Sequence, residues 1–164
     1  MRQVKHFAMS GAAIAMATAA AATALGSGTG APARADDPSR ETMMPLSVLL
    51  RRCDFTDDTH VSPTGRGSAT SVIRESGSQV AADVSLQVGT PNTAYRVRLI
   101  QVPRETLSCA PGTPGTGFGI LNTDGAGNGN TTVQDTVLPG ATGVWVLLEG
   151  DPGDFYTSDA IVRV

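Results

Sequence analysis

Between residues 46 and 164 apolar side chains recur at every second position in short runs, and each run is closed by Gly, Pro, Asn or Asp. That is the pattern of half-buried strands joined by tight turns. The clearest run sets Val80, Ala82, Val84, Leu86 and Val88 against Ala81, Asp83, Ser85 and Gln87, so one face meets a core and the other meets water. Further strands are predicted over 46–55, 68–74, 95–102, 116–122, 130–138, 143–149 and 156–164. In 95–102, Tyr95, Val97 and Leu99 alternate with Arg96 and Arg98 before Ile100 and Val102 reverse the phase, which predicts a bulge or a change of sheet neighbour. Val144-Trp145-Val146-Leu147-Leu148 is apolar on both faces and predicts a central strand covered above and below. Eight short strands, with 19 Gly and 10 Pro and no amphipathic helix beyond the N-terminal segment, predict an all-β fold. The expected architecture is an antiparallel β-sandwich of immunoglobulin or fibronectin type, with a small β-barrel as the alternative. The antibody pattern itself is absent, because Trp145 lies outside the Cys53 to Cys109 interval.

The N-terminal segment changes the picture of where this fold is used. A basic start, Met1 to His6, precedes an Ala-dominated apolar stretch from Phe7 to Leu25 and a small, polar end at Ala33-Arg34-Ala35. This reads as a signal peptide over residues 1–35, cleaved before Asp36, and predicts a secreted or cell-envelope location. Residues 36–45 read as a flexible lead-in and 46–164 as a single domain. Without the signal, nine basic residues face fifteen acidic ones, and the formal charge moves from −3 to −6. So acidic a domain is poorly suited to nucleic acid, where phosphate neutralisation supplies much of the affinity. It is equally poorly suited to an anionic membrane surface, and no stable membrane insertion is expected after cleavage. The remaining chain has no lysine, which removes Schiff-base chemistry and a P-loop lysine. Cys53 and Cys109 are the only cysteines, and in an exported domain they are expected to form a disulfide that stabilises the fold by about 4 kcal/mol.

Candidate chemistry is sparse. Asp124, Asn128, Gly129 and Asp135 match parts of a calcium loop, but Ala126 stands where a ligand is needed and no helix flanks the segment, so 123–129 reads as a Gly-rich hairpin. Asp54, Asp57, Asp58 and His60 form a second oxygen-rich cluster, read as a solvated acidic loop. His60 is the only histidine after residue 35, which argues against a zinc or copper centre and against a Ser-His-Asp triad. No cofactor and no metal site is expected. Arg96 and Arg98 project from one strand face and could grip a carboxylate or phosphate of a partner, although a solvated outer face accounts for them too. Leu138-Pro139-Gly140-Ala141-Thr142-Gly143 superficially resembles a sortase signal but precedes two predicted strands and reads as a turn.

The run Pro91-Asn92-Thr93-Ala94-Tyr95-Arg96-Val97-Arg98-Leu99-Ile100-Gln101, the Thr123 to Gly129 hairpin and Val144-Trp145-Val146 together resemble small secreted actinobacterial proteins, mycobacterial ones included, to which no function is assigned. The likeness spans roughly residues 67–164. It implies an immunoglobulin- or fibronectin-like fold and an exported location, and it carries no functional residue across. The resulting expectation is a non-catalytic, monomeric binding module whose partner is a protein or an envelope component. The alternatives are a small carboxylate-dependent glycan hydrolase, which would need two acids about 5–10 Å apart, and a purely structural envelope protein.

Overall fold

The structure is a computed structural model that describes residues 40–60, 62, 64–151 and 153–164. The signal-peptide assignment to residues 1–35 lies outside the described residues. Eight strands follow one another: β1 (Arg40–Ser47), β2 (Ser68–Ser76), β3 (Gln79–Gln87), β4 (Ala94–Val102), β5 (Thr116–Asn122), β6 (Gly129–Thr136), β7 (Gly143–Gly150) and β8 (Asp154–Ser158). They form one antiparallel sheet in the order β5-β4-β7-β8-β1-β2-β3-β6. The all-β expectation holds, but the strands make one continuous sheet rather than the two of a sandwich, so the barrel alternative describes the architecture. The reason is pairing between strands distant in sequence: β1 joins β8 through Leu46 to Ser158, and β3 joins β6 from Gln79 to Leu86.

The two sheet edges, β5 and β6, come together to leave a nearly closed barrel. Their approach depends on glycine. A Cβ on Gly117 would lie 2.9 Å from the Gln134 carbonyl oxygen, and one on Gly119 would lie 2.8 Å from a Val133 methyl group. Gln101 fastens the other side of this seam. Its side chain is buried and donates to Asp135 Oδ2 and to the Thr136 carbonyl, 2.8 Å each, while its Oε1 accepts the Leu138 N–H at 2.8 Å.

Inside the barrel, Val80, Ala82, Val84 and Leu86 of β3 meet Tyr95, Val97 and Leu99 of β4 and Val144, Val146 and Leu148 of β7. This is the predicted alternation, with one correction: β3 ends at Gln87, and Val88 leaves the row and is 69% exposed. A second apolar cluster lies outside the barrel wall. Ile100 and Val102 of β4 and Trp145 and Leu147 of β7 are covered there by Leu50, Phe55 and the Cys53–Cys109 disulfide. The covering layer consists of the 48–60 part of the β1–β2 connection and the 103–115 connection. It explains the apparent phase reversal: β4 pairs without interruption with both β5 and β7, so there is no bulge, and Ile100 and Val102 face outward under the stapled loops. The prediction that Val144 to Leu148 is covered on both faces agrees with the structure.

Three boundaries differ from expectation. β1 begins at Arg40, within the segment read as a flexible lead-in, and pairs with β2 from Arg40↔Glu75 to Leu46↔Ala69. Residues 48–55 are loop rather than strand, and the last strand covers Asp154–Ser158 instead of 156–164. After it, Val162 makes a single bridge to Val144. Among the described residues, no helix is long and apolar enough to cross a membrane.

Candidate functional site

At one end of the barrel the connections β1–β2, β3–β4, β5–β6 and β7–β8 converge over a polar cluster that the strands bury. β8 points Asp154 and Tyr156 inward, and β4 points Tyr95 toward them. The Tyr95 hydroxyl donates to Asp154 Oδ2 in a short hydrogen bond and accepts the Thr90 N–H at 2.9 Å. Thr90 Oγ1 donates to the same carboxylate oxygen at 3.2 Å, and the Tyr156 hydroxyl accepts the Gly67 N–H at 3.0 Å. Asp154 is 5% exposed, and its second oxygen, Oδ1, is buried with no hydrogen-bond partner. Gly65 makes room for it, because a Cβ there would lie 2.6 Å from Oδ1. Side chains from β4 and β8 thus hold the backbone N–H groups of Gly67 and Thr90 over the barrel mouth.

Burial raises the pKa of both phenols above the ordinary tyrosine value, with the Asp154 charge acting in the same direction. The native state therefore keeps both phenolic protons at a pH where the unfolded chain releases them. Stability is expected to be fully present below about pH 10 and to fall above it, by up to about 1.4 kcal/mol per pH unit for each tyrosine. Urea titrations between pH 8 and 11.5 check this. A Tyr156→Phe variant should show a shallower fall; the same slope in wild type and variant would contradict the assignment.

Above the cluster lies a hollow of about 380 Å³ between Thr64 and Arg66 on one side and Val88 to Pro91 on the other. Gly65 separates its wall from Asp154, and Thr90 belongs to both the hollow and the cluster. At the lip stands Val88, whose φ of 56° is in the left-handed region. For a β-branched residue that is an outlier, costing on the order of 1–3 kcal/mol. Asn128 Oδ1 accepts the Val88 N–H at 3.2 Å and holds the turn in place.

The residues singled out from the sequence are placed as follows. Arg96 and Arg98 share the outer face of β4, and both meet Glu149 of β7: Arg98 NH2 lies 2.8 Å and Arg96 Nε 3.4 Å from Oε2. Arg96 also reaches Asp151 at 3.3 Å. Their charges are answered within the domain, and beside them Phe118 and Ile120 of β5 stand partly exposed. Asp124 Oδ1 accepts the N–H groups of Ala126 and Asn128 at 2.8 and 2.9 Å, which holds its pKa below the usual carboxylate value. Asp135 lies near the far end of β6, opposite Val80, so the calcium-loop positions are not brought together. Asp54 is bound by Thr56 and Thr106, Asp57 by Arg51, and Asp58 faces Arg52 and His60. Cys53 and Cys109 form the disulfide.

Asp154 and Val88 were not singled out by the sequence pattern. Asp154 precedes the strand predicted from Tyr156, so the periodicity gives it no inward position. Val88 continued an alternating run, and nothing local marked it as leaving the core. Comparison of the chain with protein families, with curated proteins and with solved structures finds no match.

Proposed function

We propose that this chain is a non-catalytic, exported binding domain, secreted or held in the cell envelope as the likeness to small secreted actinobacterial proteins implies. Its loop end contacts a protein or envelope component. The observation that carries this reading is Val88. A turn whose only task is to connect β3 with β4 is served at lower energy by Gly or Asn in the left-handed conformation. A strained valine that presents its side chain to solvent at the lip of a hollow is better explained by contact with a partner. The buried tyrosine and carboxylate cluster gives that loop a rigid base, which lowers the ordering cost of binding.

Val88→Gly separates the two roles. The variant should leave Tm unchanged or raise it by about 2–4 °C, because relief of strain is offset in part by glycine's unfolded-state entropy. Proximity labelling in the envelope of the native organism should at the same time lose the neighbours that the wild-type chain marks. The same neighbours from both proteins would remove the loop end as the binding surface. Mass spectrometry of culture filtrate tests the export part, with a mature N-terminus at Asp36 as the expected result.

A further inference from the structure

At the end of the barrel opposite Val88, the β4–β5 and β6–β7 connections and the residues after β8 border a second surface. Beside Arg104, a recess of about 200 Å³ runs between Pro103 and Leu138-Pro139. A hollow of about 550 Å³ continues from it past Ile161, Arg163 and Val164, and the two share Val102 and Ala141 as a common wall. The walls are mainly aliphatic and proline, with Leu138 37% and Ile161 39% exposed. Among the described residues, the only charged side chains lining this groove are two arginines, one toward each end.

Among the described residues, neither arginine has a carboxylate within ion-pair distance, whereas Arg51, Arg52, Arg74, Arg96 and Arg98 all do. Arg104 is held in place by neutral acceptors: NH1 donates to Thr116 Oγ1 at 2.5 Å, and NH2 donates to the Pro114 carbonyl at 2.7 Å. Its Nε is buried without a partner. Asp135 is the acid that acts on it through space, but Gln101 occupies Asp135 Oδ2, and burial prevails to push the Arg104 pKa down. A desolvated guanidinium whose charge is not answered is a site that gains from an incoming anion. Arg40 and Arg66 share this lack of an ion pair among the described residues, but only Arg104 and Arg163 stand together along one apolar groove.

We propose that this groove binds an extended acidic peptide segment of a partner protein, with one aliphatic side chain in the recess beside Leu138 and carboxylates at Arg104 and Arg163. The recess is smaller than the roughly 300–1,000 Å³ of a small-molecule pocket, which suits a single branched side chain better than an acyl chain. The site is independent of the loop end, so its fate does not depend on Val88.

The test uses a fluorescein-labelled peptide in which a single leucine is flanked on each side by two glutamates, read by fluorescence anisotropy. Binding to the wild-type domain is expected to weaken with salt. Arg104→Gln should raise Kd by about tenfold, the size of one lost charge-assisted contact. Arg163→Glu, at an exposed position, should raise Kd by about threefold and flatten the salt dependence. Replacing the leucine of the peptide by glycine should weaken binding as well, while Val88→Gly should leave it unchanged. Should Arg104→Gln compromise folding, Arg163→Glu and Ala141→Glu, which places a like charge in the groove, keep the comparison open. Equal affinity for wild type and these variants, no binding up to about 1 mM, or binding to phosphatidylglycerol vesicles in place of the peptide would each overturn the proposal.

Discussion

Replacing Cys53 and Cys109 together by alanine is expected to lower stability by about 4 kcal/mol, from the chain entropy of a loop closed over a sequence separation of 56. For a folded domain near 120 residues, that corresponds to a fall in Tm of about 15 °C. The effect should not be entropic alone. The bridge ties the 48–60 and 103–115 segments over Ile100, Val102 and Trp145, and without it these segments can lift from the outer wall. Trp145 is fully buried and lies edge-on to Phe55 with ring centroids 5.5 Å apart. It is the only tryptophan, so its emission reports this layer alone. The double variant should show a red-shifted emission before the barrel itself melts, and dithiothreitol should reproduce that shift in the wild type. A loss below about 1 kcal/mol with unchanged emission would mean that the loops cover Trp145 without help from the bridge.

Gln101→Leu carries the second large effect, at about 2–4 kcal/mol. The substitution nearly conserves volume, so the cost comes from polar groups left behind. The Leu138 N–H, the Thr136 carbonyl and one Asp135 oxygen would all lose the partner that Gln101 supplies, at a site where that residue is 2% exposed. An unmet buried donor or acceptor costs about 1–3 kcal/mol. These three groups belong to the end of β6 and the turn after it, so the damage falls on the seam between the two sheet edges. Urea unfolding should show a lower midpoint, and hydrogen exchange should rise first in residues 134–138. A loss under about 1 kcal/mol, or protection lost evenly over all strands, would show that Gln101 does not hold the seam.

The strands were legible where burial alternates. Val80 to Leu86 and Tyr95 to Leu99 line the interior as their spacing required, and the turns between them carry the expected Gly, Asn and Asp. Closure was not legible, because period two is common to sandwiches and barrels. What separates them is the β1–β8 and β3–β6 pairings, which no local window contains. β1 was hidden by its own sequence. Arg40 to Thr42 is polar, Met43 and Met44 break any alternation, and Pro45 follows; the proline is tolerable because β1 pairs along its length with β2 but with β8 only at Leu46 and Ser47. The outward turn of Ile100 and Val102 could not be separated from a bulge without knowing that a disulfide-bridged layer covers them. At the loop end the reason is different. Asp154 breaks the rule that inward positions are apolar, and Val88 breaks the rule that a valine avoids positive φ. Sites that break local rules are the ones a sequence pattern passes over.

The pairing of β1 with β8 also has a temporal side. Leu46 meets Ser158, and Ser47 Oγ donates to Asp159 across 112 positions of chain. A chain that emerges N-terminus first from a ribosome therefore cannot complete this sheet until Ser158 is out. Until then β1, β2, β3 and β6 can pair with one another, but the β1 edge stays bare and the two halves of the sheet stay unjoined, because loop-closure entropy works against any earlier closure. The domain thus stays an open, threadable chain until β8 is free to bridge β1 and β7, and only then becomes a closed body.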